Sequence, residues 1–250
     1  MQRYFVAKEQ MTDQVVKVTG EDMKHILRVM RMDIGDEIIC SNNDLRTVRC
    51  VISEIENQEI IATIIEDLTP NSELPVEVTI AQGLPKGDKL DLIIQKGTEL
   101  GATAFIPFSA SRSIVKWDQK KAGKKIDRLV KIAKEAAEQS YREKIPTVFD
   151  IHSLAELKKQ MPLFDSIVLA YEESAKEGEK AQFATALNTL SEGQRILIII
   201  GPEGGLTDEE VDQFLLEGAQ ACGFGPRILR TETAAMYALA AISYHFELMR

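Results

Sequence analysis

The chain has 250 residues, of which 44% are hydrophobic and 28% are charged. These fractions are typical of a globular protein with a packed core, and they exclude a fibrous or intrinsically disordered chain. The formal net charge of −9 disfavours a protein that coats nucleic acid through bulk electrostatics, since phosphate binding needs clustered Lys and Arg side chains.

Residues 1 to 72 are predicted to form a small β-barrel. Short runs of alternating apolar and polar residues, separated by polar turns, indicate five strands. One helix begins near Gly20 and carries His25. The segment Thr69–Pro75 contains turn formers and two prolines, so the domain boundary is placed there. The predicted strands are Arg3–Ala7, Val15–Val18, Glu37–Cys40, Thr47–Ile52 and Ile60–Ile65.

Residues 73 to 250 are predicted to form an α/β domain, because apolar strand-like runs alternate with longer helical periods and so favour a mostly parallel sheet. The predicted strands are Val76–Gln82, Ala104–Phe108, Ser166–Tyr171, Arg195–Gly201 and Ile228–Leu229. The predicted helices are Lys89–Leu100, Asp118–Arg142, Leu154–Gln160, Lys180–Leu190, Thr207–Glu217 and Thr233–Met249.

A glycine-rich loop follows the most apolar of these strands. Ile196–Ile200 leads directly into Gly201-Pro202-Glu203-Gly204-Gly205, and Thr207 with Glu210 has the form of a helix capping box. Ligands bind at such strand ends in α/β folds. The loop matches neither a Walker motif nor a GxGxxG fingerprint, which disfavours a phosphate ligand. A tight turn that merely uses glycine at positive φ is the alternative.

A second polar cluster precedes the C-terminal helix. The stretch 223 to 235 reads GFGPRILRTETAA, with Arg230, Glu232 and two threonines close together. Thr231 or Thr233 at a helix N-cap, with Glu232 favoured by the helix dipole, is the purely structural interpretation. It leaves Arg230 unexplained.

Together, GPEGG and RILRTETA resemble motifs of the bacterial 16S ribosomal RNA uridine-N3 methyltransferases, the RsmE type of the SPOUT superfamily. Further blocks are similar to that family in the same order and cover nearly the whole chain. They are HILRVMR with Gly35-Asp36, QGLPKGDK from Gln82, QKGTELG from Gln95, Arg112-Ser113, and EQSYR from Glu138.

The resemblance implies a PUA-like RNA-binding barrel and a SPOUT domain with a C-terminal trefoil knot. It also implies S-adenosylmethionine as cofactor, 16S ribosomal RNA or the small ribosomal subunit as substrate, and a homodimer. Backbone groups of Gly201, Gly204, Ile228 and Leu229 are expected to hold the adenine and ribose. The full set of expected cofactor-binding residues is Leu169, Ala170, Tyr171, Gly201, Pro202, Glu203, Gly204, Gly205, Ile228, Leu229, Arg230, Thr233 and Ala234, within loops that extend to Glu172.

Catalysis at N3 of uracil requires loss of a proton from a poor nucleophile. We therefore expect Arg230 and Arg112 to stabilise the uracil anion and Glu232 to serve as the base. The residues expected to contact RNA are Arg3, His25, Arg28, Arg31, Lys86, Arg112 and Arg142, although residues 1 to 70 hold eight basic against thirteen acidic side chains.

A second basic surface is expected in the stretch 112 to 144, which holds eleven Lys or Arg against five Asp or Glu. Lys120, Lys121, Lys124 and Lys125 are the candidate phosphate contacts there. The alternative interpretation of these lysines is a helix face that is exposed to solvent. The alternative interpretation of Glu138 is a surface ion pair with Arg142, four residues later on the same helix.

Other site chemistries find little support. His25, His152 and His245 stand apart and no Cys/His spacing resembles a zinc site, so no metal is expected. No G-x-S-x-G elbow is present. A noncatalytic RNA-binding or ribosome-assembly factor, a methyltransferase acting on another RNA, and a nucleotide enzyme using the Gly201 loop remain open alternatives.

The expected location is the cytoplasm. The three cysteines form no CxxC pair and leave an odd thiol, which suits a reducing compartment. Met1–Phe5 lacks the basic region and apolar run of a signal peptide, and Ile196–Ile200 is too short to cross a bilayer, so no membrane partner is expected.

Overall fold

A computed structural model describes residues 1–44, 46–115, 117, 119–171 and 182–249, with residues 119–121 described by their backbone alone. The expectations for Glu172, for the side chains of Lys120 and Lys121, and for the start of the helix at Lys180 lie outside these residues. The chain forms two compact units, residues 1–73 with 137–145, and residues 74–136 with 146–250.

The first unit contains a curled five-stranded sheet in the order β1-β3-β4-β5-β2. Its strands are β1 Gln2–Phe5, β2 Val15–Thr19, β3 Glu37–Ser41, β4 Thr47–Ile55 and β5 Glu59–Leu68. β1 pairs in parallel with β3 and the other pairings are antiparallel. Alternate side chains such as Val16, Ile38, Ile52 and Ile60 are fully buried, as the alternating pattern predicts.

A short helix follows β2. α1, Gly20–Lys24, continues into one π-helical turn at His25–Val29 and places Ile26 in the core. Arg31 then adopts a φ of 54°, which ends the helical path. His25 is half-buried, and its Nδ1 lies 3.0 Å from the Tyr4 hydroxyl.

Arg3 and Arg142 are structural residues of the first unit. Arg3 is 3% exposed and donates to the carbonyl oxygens of Tyr141 at 2.7 Å and Arg142 at 2.5 Å. Arg142 is 2% exposed and is paired with Glu73, which also accepts the Glu143 N–H at 2.8 Å. Burial and internal partners therefore contradict the expected phosphate contacts of both arginines.

The second unit contains a six-stranded sheet in the order β11-β9-β10-β6-β7-β8 with every pairing parallel. Its strands are β6 Glu77–Gly83, β7 Ala104–Phe108, β8 Thr147–Val148, β9 Ser166–Ala170, β10 Arg195–Ile200 and β11 Gln220–Cys222. β10 lies between two neighbours and is covered on both faces, so Ile196 to Ile199 are fully buried. A central parallel strand accounts for the continuous apolar run.

The helices of residues 73 to 250 largely match the prediction. They are α2 Lys89–Glu99, α3 Gln119–Gln139, α4 Leu154–Gln160, α5 Gln182–Thr189, α6 Asp208–Leu216 and α7 Thr231–Ser243, and a π turn follows α7 at Tyr244–Leu248. The Thr207–Glu210 capping box is present at the start of α6. α3 ends before the predicted Arg142, because Tyr141 adopts a φ of 59°.

The predicted strand at Ile228–Leu229 is wrong. These residues lie in irregular backbone, and Ile228 is 74% exposed. The edge strand is instead β11, whose Ala221 pairs with Leu169 of β9. Pro226, which lacks a backbone N–H, lies two residues before Ile228 and disfavours regular pairing there.

Among the described residues, no helix combines the length and apolar character needed to cross a bilayer. Within the same residues, no group of three or more His, Cys, Asp or Glu side chains is placed to hold a metal ion. Cys40, Cys50 and Cys222 are buried and are not joined in disulfide bonds.

Candidate functional site

The loops predicted to bind the cofactor leave neighbouring strands at one edge of the second sheet. β11, β9 and β10 are adjacent and parallel, so their carboxyl ends lie at the same edge. The N–H of Tyr171, after β9, donates to the carbonyl oxygen of Cys222 at the end of β11 at 3.1 Å. This hydrogen bond joins the first predicted loop to the strand that precedes the third.

The Gly201–Gly205 loop is a compact turn. The Gly205 N–H donates to the Pro202 carbonyl at 2.8 Å, and Gly205 has a φ of 70°. A Cβ atom at Gly201 would lie 3.2 Å from Leu206 Cγ. Positive φ and close packing therefore both favour glycine, as the tight-turn interpretation predicts.

Thr231 ties this loop to the start of α7. Its hydroxyl donates to the Gly201 carbonyl oxygen at 2.7 Å and accepts from the Gln82 Nε2 at 2.8 Å. Both side chains are buried. The helix N-cap is Arg230, and no side chain caps it, so the capping interpretation of the threonines is wrong. Thr231 connects the two sequence motifs instead.

Gly83, at the end of β6, allows the same loop to approach closely. A Cβ atom at this position would lie 2.6 Å from Pro202 Cδ and 2.7 Å from the Pro202 backbone nitrogen. No side chain fits in that space, so the glycine determines how near the Gly201 loop lies to β6.

Lys89 bridges one carboxylate from each motif. Its Nζ lies 2.9 Å from Glu203 and 3.2 Å from Glu232. The bond to Glu203 is the main cause of a raised Lys89 pKa. Burial would raise the pKa of Glu203, but the hydrogen bonds from Lys89 and from the Lys86 backbone N–H lower it below its ordinary value. Glu203 is therefore a carboxylate at neutral pH.

Arg112 lies against the same loop from the end of β7. Its guanidinium donates to the carbonyl oxygens of Leu206 at 3.0 Å and Gly204 at 3.4 Å, and the residue is otherwise exposed. The neighbouring Ser111 N–H donates to the buried Glu210 carboxylate at 2.7 Å. Burial raises the pKa of Glu210, but backbone bonds from Thr207 and Ser111 outweigh it, so the pKa lies below normal.

The remaining site predictions lie on the third loop and on α7. Arg230 is exposed, and its carbonyl oxygen accepts from the Ala234 N–H at 2.9 Å. Ala234 is buried and Thr233 is exposed. The structure therefore brings Arg230 and Glu232 next to the Gly201 loop through Thr231 and Lys89, and Arg112 contacts that loop directly.

Of the predicted RNA contacts, Lys86, Arg28 and Arg31 are exposed. Lys124 and Lys125 are also exposed, and the Lys125 ammonium lies 4.5 Å from the centre of the Trp117 ring. These side chains are accessible to a polyanion, whereas Arg3 and Arg142 are not.

Sequence reasoning assigned no site role to Gln82 or Lys89 and gave Thr231 only a capping role. A usable signal existed for the first two, because Gln82 ends a predicted strand and Lys89 begins the next helix, where ligand sites of α/β sheets lie. The partners of Thr231 gave no local signal, since they are distant in the sequence.

Two family models match the chain, one in each of its two parts. A family model described as an RNA methyltransferase domain matches residues 72–243, and one described as an RNA methyltransferase PUA domain matches residues 18–65. Ribosomal RNA small subunit methyltransferase E of Bacillus subtilis strain 168 is 53% identical over 253 residues, covering 100% of this chain and 99% of its own.

Solved structures agree with this match. A crystal structure described as a hypothetical protein is 51% identical, with a TM-score of 0.92 and full coverage of both chains. The crystal structure of ribosomal RNA small subunit methyltransferase E from Neisseria gonorrhoeae bound to S-adenosyl methionine is 29% identical, with a TM-score of 0.84 and 97% coverage of each chain. The chain therefore belongs to the ribosomal RNA small subunit methyltransferase E family.

Proposed function

We propose that this protein transfers the methyl group of S-adenosylmethionine to N3 of one uridine in 16S ribosomal RNA. The observation that carries the proposal is the Gln82–Thr231–Gly201 hydrogen-bond chain, which holds the two family motifs side by side at the carboxyl edge of a parallel sheet. Ligand sites of open α/β sheets lie at this edge. The relative from Neisseria gonorrhoeae, whose crystal structure contains S-adenosyl methionine, supports the cofactor.

The residues at this edge of the sheet fit S-adenosylmethionine. The adenine and ribose are proposed to bind to backbone groups of Gly201, Gly204, Ile228 and Leu229. The other residues proposed to line the pocket are Leu169, Ala170, Tyr171, Pro202, Gly205, Thr233 and Ala234. Ile228 is 74% exposed and offers apolar surface for a ring. When bound, the cofactor supplies an electrophilic methyl group.

The protein's own residues have to prepare the nucleophile. N3 of uracil becomes nucleophilic when its proton leaves and the negative charge on O2 and O4 is stabilised. The exposed guanidiniums of Arg112 and Arg230 are proposed to stabilise that charge. Glu232 is the proposed base, and the ion pair with Lys89 at 3.2 Å fixes the position of its carboxylate.

Each domain is proposed to contribute its own contacts to the RNA substrate. Residues 1–72 are assigned as a PUA-like RNA-binding domain with Arg28, Arg31 and His25 facing RNA, and residues 73–250 as the methyltransferase domain with Lys86, Lys124 and Lys125 as phosphate contacts. The target uridine has to be unstacked to expose N3, which favours a single-stranded or junction site.

We also infer a trefoil knot at the C-terminal end, a homodimer and a cytoplasmic location, all of which rest on the family. The dimer has support in α7 and the turn after it, where apolar side chains face solvent. They are Tyr237 at 40%, Tyr244 at 56%, Leu248 at 72% and Met249 at 64% exposure. Exposed apolar patches of this kind mark interaction surfaces. Sedimentation of the purified protein tests the dimer.

The activity is tested on ribosomal RNA from cells that lack the protein. Methylation at N3 removes a Watson–Crick donor, so wild-type RNA stops reverse transcriptase at one uridine and RNA from the deletion strain does not. Restoring the wild-type gene should restore the stop, and restoring Arg230→Ala should not. If every stop persists in the deletion strain, the substrate assignment is wrong. If the protein binds RNA but never transfers methyl, a ribosome-assembly role replaces catalysis.

A further inference from the structure

Lys89, Glu203 and Glu232 form a charge cluster at the edge of the proposed cofactor pocket. One ammonium contacts two carboxylates at 2.9 and 3.2 Å, so the cluster carries one uncompensated negative charge when all three groups are ionised. Glu232 is the most buried of the three, with 13% of its side chain exposed against 31% for Lys89 and 28% for Glu203.

A simple surface ion pair does not account for two carboxylates that share one lysine. One lysine satisfies one carboxylate, and a second carboxylate beside the first adds repulsion unless another cation is close. The N-terminal end of α7 partly compensates Glu232, which lies in the first turn. Three further cationic residues lie next to this loop or to Thr231, namely Lys86, Arg112 and Arg230.

Those three side chains are exposed, and within the described part of the chain none of them forms an ion pair with Glu203 or Glu232. Lys86 approaches Glu203 through its backbone N–H at 3.1 Å. Arg112 directs its guanidinium to the carbonyl oxygens of Gly204 and Leu206. The site therefore has exposed basic side chains and a partly buried Glu232 carboxylate whose ion-pair partner, Lys89, is shared with Glu203. Charge interactions are strongest at Glu232, the most buried of these groups, because less water screens them there.

The two forms of the proposed cofactor differ by one charge. The methyl donor is a sulfonium with a net charge of +1, and the product left after methyl transfer is a neutral thioether. We propose that the Lys89–Glu203–Glu232 cluster makes the pocket prefer the cationic methyl donor over its thioether product. This inference rests on the proposed function, and it gives the second carboxylate a role in releasing product after each turnover.

The ratio of two affinities tests this role. S-adenosylmethionine and S-adenosylhomocysteine are titrated by calorimetry into wild-type protein, Glu203→Gln, Glu232→Gln and Lys89→Gln. Each Glu→Gln change neutralises the excess charge and should lower the preference for the donor about tenfold, the effect of one nearby charge. Lys89→Gln leaves two uncompensated carboxylates and should move the ratio the opposite way.

The ratio also separates charge from structure. Any loosening of the loop weakens both ligands alike and cancels in the ratio. A change of charge also acts on the ammonium and carboxylate groups that both ligands share, and only its effect on the sulfonium remains in the ratio. Glu77→Gln is the matched control, because Glu77 is exposed at the opposite, amino end of β6. Its ratio should equal that of the wild type, and raised salt should reduce the wild-type preference.

Two failures are distinguishable. If wild-type protein binds both ligands and the three variants leave the ratio unchanged, the cluster has no part in selecting the donor and the inference is overturned. If wild-type protein binds neither ligand, the proposed function fails first and the inference fails with it.

Discussion

The Thr231 hydroxyl donates a hydrogen bond of 2.7 Å to the carbonyl oxygen of Gly201, thirty residues earlier in the chain. Because the same hydroxyl accepts from Gln82, one buried side chain joins the ends of β6 and β10 and the start of α7. The two motifs are thus held close together in space by hydrogen bonds, although they are distant in the sequence.

Thr231→Val should weaken this junction. Valine has nearly the shape of threonine but leaves the Gly201 carbonyl and the Gln82 amide without that partner, at a cost of about 1 to 3 kcal/mol. We expect a lower free energy of unfolding in urea and weaker binding of S-adenosylmethionine. Thr231→Ser keeps the hydroxyl and should restore binding. Equal behaviour of the valine and serine variants would contradict the role of the hydrogen bonds.

Gly83→Ala should displace the Gly201 loop. The added methyl group would lie 2.6 Å from Pro202 Cδ, so the loop has to move and the cofactor site should lose affinity. Gly123→Ala in α3 is the control, since a Cβ there meets nothing within 4 Å. That helical site should gain roughly 0.5 to 1 kcal/mol from the alanine. Calorimetric binding and thermal unfolding are measured on both, and unimpaired binding by Gly83→Ala would refute the steric argument.

Glu210 should make stability sensitive to acid. Its pKa in the folded protein lies below the ordinary value of 4.5, because the bonds from Thr207 and Ser111 outweigh the effect of burial. Its contribution is therefore present above pH 4.5 and is lost as pH falls through the lowered folded pKa. The free energy of unfolding in urea should be lower for Glu210→Gln than for wild type at pH 7. Between pH 7 and pH 3 it should fall less for Glu210→Gln than for wild type. Parallel curves for the two proteins would disprove this assignment.

Arg142 and Arg28 should separate folding from RNA binding. Arg142→Ala leaves the Glu73 carboxylate without its guanidinium partner and should cost about 3 to 5 kcal/mol of stability. Arg28 is exposed, so Arg28→Ala should leave thermal unfolding unchanged. Its loss should weaken RNA binding and reduce the salt dependence by about one phosphate contact.

The measurements are filter binding at several salt concentrations and thermal unfolding. A stable Arg142→Ala protein with lost RNA affinity would instead return Arg142 to the RNA surface.

Periodicity and local motifs were sufficient for much of this protein. Alternation in residues 1 to 68, the apolar run of β10 and the Thr207–Glu210 capping box predict elements that the structure contains, because these signals act between neighbouring residues. The order of the motifs also predicted the family, which the comparisons confirm. The strand predicted at Ile228–Leu229 was wrong because two apolar residues in a row are too short a pattern to distinguish a strand from irregular backbone.

The amino-acid sequence alone therefore determined the two-part α/β organisation and the two motifs at which a ligand is expected. Tertiary structure alone decided that Arg3 and Arg142 are buried, that Thr231 bridges rather than caps, and that Lys89 holds one carboxylate from each motif. The physical reason is distance along the chain. A hydrogen bond or ion pair between residues far apart in sequence exists only once the parallel sheet has brought its strand ends together.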